Sequence, residues 1–269
     1  MKTLGEFRDL LYGHGMADAT VRNYTGSIRR LHQWCEANGY DPVTMPPHAV
    51  RAWSDTLTRS HATRKSAQAA CRWWWQDRDD QPHLAIRVPR APRPDPKPLD
   101  DDEMGRLLST ARIVGGRRGL AVFCLVYTGA RPSEVAKFRW DQWDGERLRW
   151  WRDKTQDWHT LPVHPDLKVM LEAQQPADDP GPMFRGCPGR GRETVNPTTI
   201  WGWCVEVGRL CDVTVTPRRL RASVATRILD STGSLEAAAA VLGHASTDTT
   251  RRYARTSERR LQEAIGTLW

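Results

Sequence analysis

The chain has 269 residues, with 40 Lys and Arg against 32 Asp and Glu, a net charge of +8 and a pI near 9.5. Its 39% hydrophobic and 27% charged content is that of a soluble globular chain with room for one large domain or two ordinary ones. No stretch reaches about 18 consecutive apolar residues, which argues against a membrane helix, and MKTLGEFRDLL has no signal-peptide core, so we expect a cytoplasmic protein with no membrane partner.

The six cysteines form no CxxC and meet no His pair at zinc spacing, so no structural metal is expected and the thiols fit a reducing compartment. The basic surplus favours a polyanionic partner without proving one.

Residues 1–88 are predicted to be a helical domain. Phe7, Leu10 and Leu11 mark a first apolar face, and Val21, Tyr24, Ile28 and Leu31 a second at helical spacing. A third helix is predicted over Pro47 to Leu57 and a fourth over Ala62 to Gln76. Up to Pro98 there are 15 basic and 10 acidic residues, a net of +5. On the fourth helix, Arg64, Lys65 and Arg72 accompany Trp73, Trp74 and Trp75. We expect one or two of the tryptophans in the core. The three basic residues are candidates for a phosphate-contacting, DNA-binding face.

Residues 89–98 are a proline-rich linker, with Pro89, Pro92, Pro94, Pro96 and Pro98 removing donors and favouring an extended path. Residues 99–269 then form a second domain. Asp100 and Glu103 make a capping box for its first helix. Ala121 to Tyr127 is a buried helix, and Leu148 to Val163 alternates as a β-hairpin. The remainder is helical, with starts at Pro197–Thr198, Thr216–Pro217, Ser234 and Ser246 or Thr247. The expected class is mainly α (α+β): a helical N-terminal domain, then a mixed, mostly helical domain with a small antiparallel sheet.

Four clusters in the second domain can carry chemistry. In TGARPSEV, Gly129 permits a tight turn into Arg131, which either pairs locally with Glu134 or faces a ligand. The hairpin tip holds Lys154, which matters only if the turn overhangs a site. In TPRRLRASVATRIL, Arg218 and Arg221 share a face near a helix N-terminus, as an anion site or as a solvated basic face. In LGHASTDTTRRYAR, His244 is followed nine residues later by Tyr253. The same stretch also reads as a helix-turn-helix.

Together these clusters resemble the tyrosine recombinase (phage integrase) family, whose pattern runs TGxRxSE, a lysine on a β-hairpin, HxLRH with [ST]FAT, LGH, and a tyrosine nine residues beyond that histidine. Here the elements stand as TGARPSE, RDKTQDW, RRLRASVAT, LGH and Tyr253. The resemblance implies a DNA recombinase whose first domain binds core sites and whose catalytic residues are Arg131, Lys154, Arg218, Arg221, His244 and the nucleophile Tyr253. It implies chemistry without a metal or other cofactor, double-stranded DNA core sites as partner, and a homotetramer on two DNA sites (a dimer per site). The tail stripe of Leu261, Ile265, Leu268 and Trp269 would be exchanged between subunits. An N-terminal domain for arm-type sites is not expected, since the first helix begins near Thr3.

Three positions depart from the pattern. Arg218 replaces the first histidine, Ala222 the second, and Val224 the phenylalanine. An arginine stays protonated, so Arg218 cannot act as a base, and the acceptor of the tyrosine's proton is unassigned. Two other functions carry part of the same evidence: a non-catalytic helix-turn-helix regulator, and a type IB topoisomerase-like enzyme.

Overall fold

The computed structural model describes residues 3–58, 60–90, 97–177, 179–186 and 193–243. The chain divides into two compact units, Met1–Pro94 and Asp95–Trp269. Residues 91–96 of the proline-rich linker lie outside the described residues.

The first unit contains α1 (Leu4–Gly13), α2 (Asp18–Asn38), α3 (Pro47–Thr56) and α4 (His61–Trp74). A capping box starts α1: the Thr3 hydroxyl accepts from the Glu6 amide, and the Glu6 carboxylate accepts from the Thr3 amide. Phe7, Leu11, Ile28, Leu31, Trp53 and Trp74 are buried together. Phe7 meets Trp74 edge-on, with ring centroids 5.4 Å apart. Trp74 and Trp75 are both buried, and both indoles donate to the Pro42 carbonyl at 2.9 Å. Trp73 is only half-buried, against His14.

Arg64 departs from the expected basic face. Its guanidinium is buried and donates to the carbonyls of Leu57, Thr58 and Arg87, with Asp55 3.6 Å away. Neighbouring helix positions differ by about 100°, which turns Arg64 inward while Lys65 points out. Lys65 and Arg72 are both exposed, and their seven-residue spacing keeps them on one face.

The second unit contains α5 (Asp101–Val114), α6 (Gly116–Thr128), α7 (Pro132–Val135), β1 (Arg147–Arg152), β2 (Asp157–Pro162), α8 (Pro165–Glu172), α9 (Pro197–Leu210), α10 (Pro217–Thr232) and α11 (Leu235–Leu242). It is mostly helical with a two-stranded antiparallel sheet. Asp100 and Glu103 form the capping box read from the sequence. The run from Gly119 to Val126 in α6 is buried throughout. Such a helix has no solvent face and must lie at the centre; α5, α8, α9 and α10 surround it.

The cap of α9 sits one residue earlier than expected. Asn196 accepts from the Thr198 amide at 3.1 Å, with Pro197 in the first turn where its missing N–H is not needed. Thr216 caps α10 and Ser234 caps α11. The helix expected from Ser246 or Thr247 lies outside the described residues.

Arg219 binds the start of this unit to α10. It donates to the Lys97 carbonyl at 2.9 Å and to Glu103 at 2.7 Å. The Ser223 hydroxyl accepts from the Leu99 amide at 2.7 Å. Residues 97–103 are thereby held along α10.

Candidate active site

The TGARPSEV stretch forms a sharp corner between α6 and α7. The Thr128 hydroxyl donates to the Cys124 carbonyl and accepts from the Ala130 amide, closing the turn locally. Gly129 caps α6 at φ +61°, and a Cβ there would stand 2.7 Å from Leu242 Cδ2 on α11. Only glycine provides both the left-handed backbone and the close approach.

Arg131 is the cap of α7. Its backbone amide and one guanidinium nitrogen both donate to the Glu134 carboxylate, each at 2.7 Å. The local pair considered from the sequence is therefore present. Glu134 is buried while Arg131 is partly exposed. A buried carboxylate gripping one edge of a guanidinium sets the direction of its remaining donors.

Arg221 lies one turn into α10, on the inward side of this corner. It donates through one nitrogen to the Gly129 carbonyl and through another to the Leu242 carbonyl, the latter at 2.6 Å. The first acceptor lies two residues before Arg131, and the second lies two residues before His244 in the chain. Three sequence clusters separated by up to about a hundred residues thus meet at one guanidinium.

Arg218 is exposed at the start of α10. With Pro132, Trp201 and Thr216 it lines a shallow pocket of about 410 Å³. Pro132 follows Arg131 directly, so the outer arginine of α10 stands beside the α7 corner. Arg218 and its neighbour Arg219 have opposite environments: one faces solvent, the other is tied down.

Lys154 is exposed in the turn between β1 and β2. Among the described residues it has no hydrogen-bond or ion-pair partner. The turn itself is ordered. The Gln156 amide donates to the Arg152 carbonyl at 2.8 Å, Gln156 adopts φ +55°, and the Thr155 hydroxyl donates to Asp157 at 2.5 Å. Beneath it, the His159 imidazole lies edge-on to Trp150, and its Nε2 is 3.1 Å from the Val241 carbonyl. Burial lowers the His159 pKa, which keeps the ring neutral with Nε2–H as donor. Arg152 holds Asp157 across the strands, and this hydrogen bond is the main reason that carboxyl titrates below its usual range.

His244 and Tyr253 lie outside the described residues. The other tyrosines are still informative. Tyr12, Tyr24 and Tyr40 belong to the first unit. Tyr127 donates to Asp166 at 2.7 Å and stacks on His164. Burial and that carboxylate push its pKa up, the wrong direction for a nucleophile. No group of His, Cys, Asp and Glu among the described residues is arranged to hold a metal ion.

The structure thus joins Arg131, Arg221 and the end of α11, and it places Arg218 beside the α7 corner. Lys154 shares the hairpin that touches the same end of α11. Sequence reasoning did not single out the hairpin's inward residues Arg152 and His159. The signal was available: Leu148, Trp150 and Arg152 occupy alternate positions, so an arginine stands where period two calls for an apolar side chain.

The sequence profile of the phage integrase family matches residues 97–260. The chain belongs to the phage integrase family. Tyrosine recombinase XerA of Pyrococcus furiosus is 26% identical over 271 residues, covering 98% of this chain and 93% of its own. Tyrosine recombinase XerC of Xanthomonas campestris pv. campestris is 29% identical over 251 residues, covering 87% and 77%. Among solved structures, a lambda integrase dimer bound to a COC′ core site matches with a TM-score of 0.72 at 17% identity, over 93% of this chain and 75% of that one. XerH bound to its palindromic difH substrate after cleavage matches with a TM-score of 0.71 at 15% identity, over 98% and 84%. At these identities the two structures establish a shared fold.

Proposed function

We propose that this phage integrase family member is a site-specific recombinase that uses Tyr253 to cut and rejoin duplex DNA through a 3′-phosphotyrosyl intermediate. The observation that carries the reading is the double tether of Arg221 to the Gly129 and Leu242 carbonyls. It holds the TGARPSE corner and the end of α11 on the LRASVAT helix, which supports a shared site for these motifs. A helix-turn-helix regulator has no use for that convergence.

In this mechanism Tyr253 attacks the scissile phosphorus in line with the departing 5′ oxygen. Negative charge accumulates on the non-bridging oxygens. Arg131, oriented by Glu134, and Arg221, oriented by two carbonyls, meet that charge with preorganised donors. His244 adds a donor to the same phosphate, and Arg218, permanently cationic, binds it from the outer edge of α10. Lys154 supplies the proton to the 5′ oxygen. The P–O5′ bond breaks and a P–O(Tyr) bond replaces it, so the bond energy is conserved for rejoining. Phenols have a pKa of about 10, and a surrounding field of fixed cations favours the attacking phenolate. Because Arg218 cannot accept a proton, the phenol proton leaves to an acceptor other than this position.

The first unit fits a core-binding domain, with Lys65 and Arg72 contacting phosphates. The recombining assembly would be a tetramer on two duplex core sites in the cytoplasm, with the tail helix after Tyr253 exchanged between subunits. Unchanged synapsis after deletion of Glu258–Trp269 would remove that last element.

Trapping on a nicked suicide substrate tests the catalytic reading. A covalent protein–DNA adduct formed by the wild type and lost in Tyr253→Phe supports it; no adduct on a verified cognate site would favour a regulator. Strand exchange between two cognate sites separates a recombinase from a topoisomerase-like enzyme.

A further inference from the structure

The hairpin that carries Lys154 has an inward row on β1 of Leu148, Trp150 and Arg152. The first two fill the core. The third is an arginine with only 8% of its surface exposed. Its Nε and Nη2 donate to Asp157, the residue directly opposite it on β2. Its Nη1 is fully buried and has no hydrogen-bond partner among the described residues. A buried arginine with an unused donor is an unfavourable way to fill an apolar core position, so a specific contact rather than core filling must account for it.

The explanation lies in what Nη1 faces. The Arg152 guanidinium is pressed against Gly243, the glycine that ends α11. A Cβ added there would overlap Nη1 and stand 2.9 Å from Cζ and 3.2 Å from Cδ. Gly243 also adopts φ +60°. The glycine of LGH is thus required twice: for the helix stop, and to seat Arg152. The second strand reaches the same place, since His159 on β2 contacts the Val241 carbonyl. Both strands of the hairpin therefore touch the last residues before His244.

We propose that Arg152 is a positioning residue that docks the Lys154 hairpin on the end of α11, so that the proton donor and the phosphate-binding corner keep one fixed geometry. The proposal rests on the assignment of Lys154 as general acid. Lys154 is two residues beyond Arg152, and the turn between them is locked by Gln156 and by Thr155 on Asp157. Fixing Arg152 and Asp157 against Gly243 therefore fixes the base of that turn. Without this seat the base of the hairpin keeps Leu148, Trp150 and the His159 contact to Val241, but the end that carries Lys154 loses its own hold on α11. Lysine at position 152 would not restore the seat, because it lacks the fork that grips Asp157 and reaches Gly243 together.

The step in question is cleavage of the P–O5′ bond, in which the electron pair goes to O5′ and Lys154 supplies the proton. With sulfur in place of the 5′ oxygen, a thiolate leaves and no proton is needed. The test is single-turnover cleavage of nicked substrates with 5′-bridging oxygen or sulfur, by full-length wild type, Arg152→Ala, Asp157→Asn and Lys154→Ala, alongside DNA affinity and thermal melting. Asp157→Asn attacks the pair from its exposed side and guards against a misfolded Arg152 variant. The proposal expects both pair variants to cleave the oxygen substrate about 10²-fold more slowly, to cleave the sulfur substrate within a few fold of wild type, and to bind DNA normally. Equal slowing on both substrates, or wild-type rates on oxygen, would overturn it. If sulfur rescues Lys154→Ala but not the pair variants, only the Arg152 proposal fails. If sulfur does not rescue Lys154→Ala, the general-acid assignment fails and takes this proposal with it.

Discussion

The Arg221 guanidinium donates to the Leu242 carbonyl at 2.6 Å, from α10 to the last residue of α11. A second nitrogen of the same side chain donates to the Gly129 carbonyl. In the proposed mechanism this arginine has two tasks: it meets the phosphate, and it ties the corner at Gly129 to the end of α11. Arg221→Lys keeps the charge and loses the planar fork. We expect single-turnover cleavage to fall about 10²–10³-fold, the loss typical when a preorganised donor is removed, with a clear fall in melting temperature as well. Wild-type cleavage by this variant would mean that the tether does not matter.

Gly129 is the counterpart of that tether. Gly129→Ala puts a methyl group 2.7 Å from Leu242 Cδ2 and 3.4 Å from Val224 Cγ1, at φ +61°. Overpacking of this kind costs about 1–3 kcal/mol, and the left-handed backbone adds about 1 kcal/mol more. Gly233 provides the control. It caps α10 at φ +72° with no neighbour within 4 Å of an added Cβ, so Gly233→Ala carries a similar backbone strain alone. Urea unfolding of both variants should show the larger loss at Gly129. Equal losses would assign the effect to backbone strain rather than overpacking.

Much of this fold is legible in the sequence. The capping box at Asp100, the buried run in α6, the alternating hairpin and the helix stop at Gly243 are each set by local chemistry, and local chemistry is written in sequence. What is not legible depends on which way a side chain turns in three dimensions. Arg64 and Lys65 are adjacent and chemically alike, yet one is buried against three carbonyls and the other is exposed. Arg218 and Arg219 differ in a similar way: Arg218 is exposed, while Arg219 is partly buried and tied to the Lys97 and Thr214 carbonyls and to Glu103. A basic cluster announces charge, and only packing decides which members are available to a ligand. The candidate site is legible as motifs in order, and the period-two pattern marks Arg152 as an inward arginine, but the partners of Arg221 and Arg152 lie far along the chain and no local pattern names them.

Arg218 and Arg219 supply a direct test of that distinction. Arg219→Ala strips a partner from Glu103 and from the Lys97 and Thr214 carbonyls, so it should lower the melting temperature by several degrees. Arg218→Ala removes an exposed side chain beside the α7 corner. It should leave melting within about a degree and slow cleavage by about tenfold or more. Cleavage rates and melting curves for the two variants should therefore move in opposite rank order. A destabilised Arg218→Ala with normal cleavage would remove that residue from the proposed site.

The first unit offers the parallel case for DNA affinity. Lys65 and Arg72 are exposed on one face of α4. Removing one phosphate-binding side chain lowers the slope of log affinity against log salt by about one. Lys65→Ala should weaken binding to cognate and unrelated duplexes alike, flatten the salt dependence by about that amount, and leave stability unchanged. Arg64→Ala should do the reverse. It removes a charged donor from the Leu57, Thr58 and Arg87 carbonyls, and hydrogen bonds to charged groups contribute about 1.5–3 kcal/mol. Its salt slope should match wild type once the variant is measured well below its melting temperature. A flattened slope in Arg64→Ala with unaltered stability would restore Arg64 to the DNA-contacting face expected from the sequence.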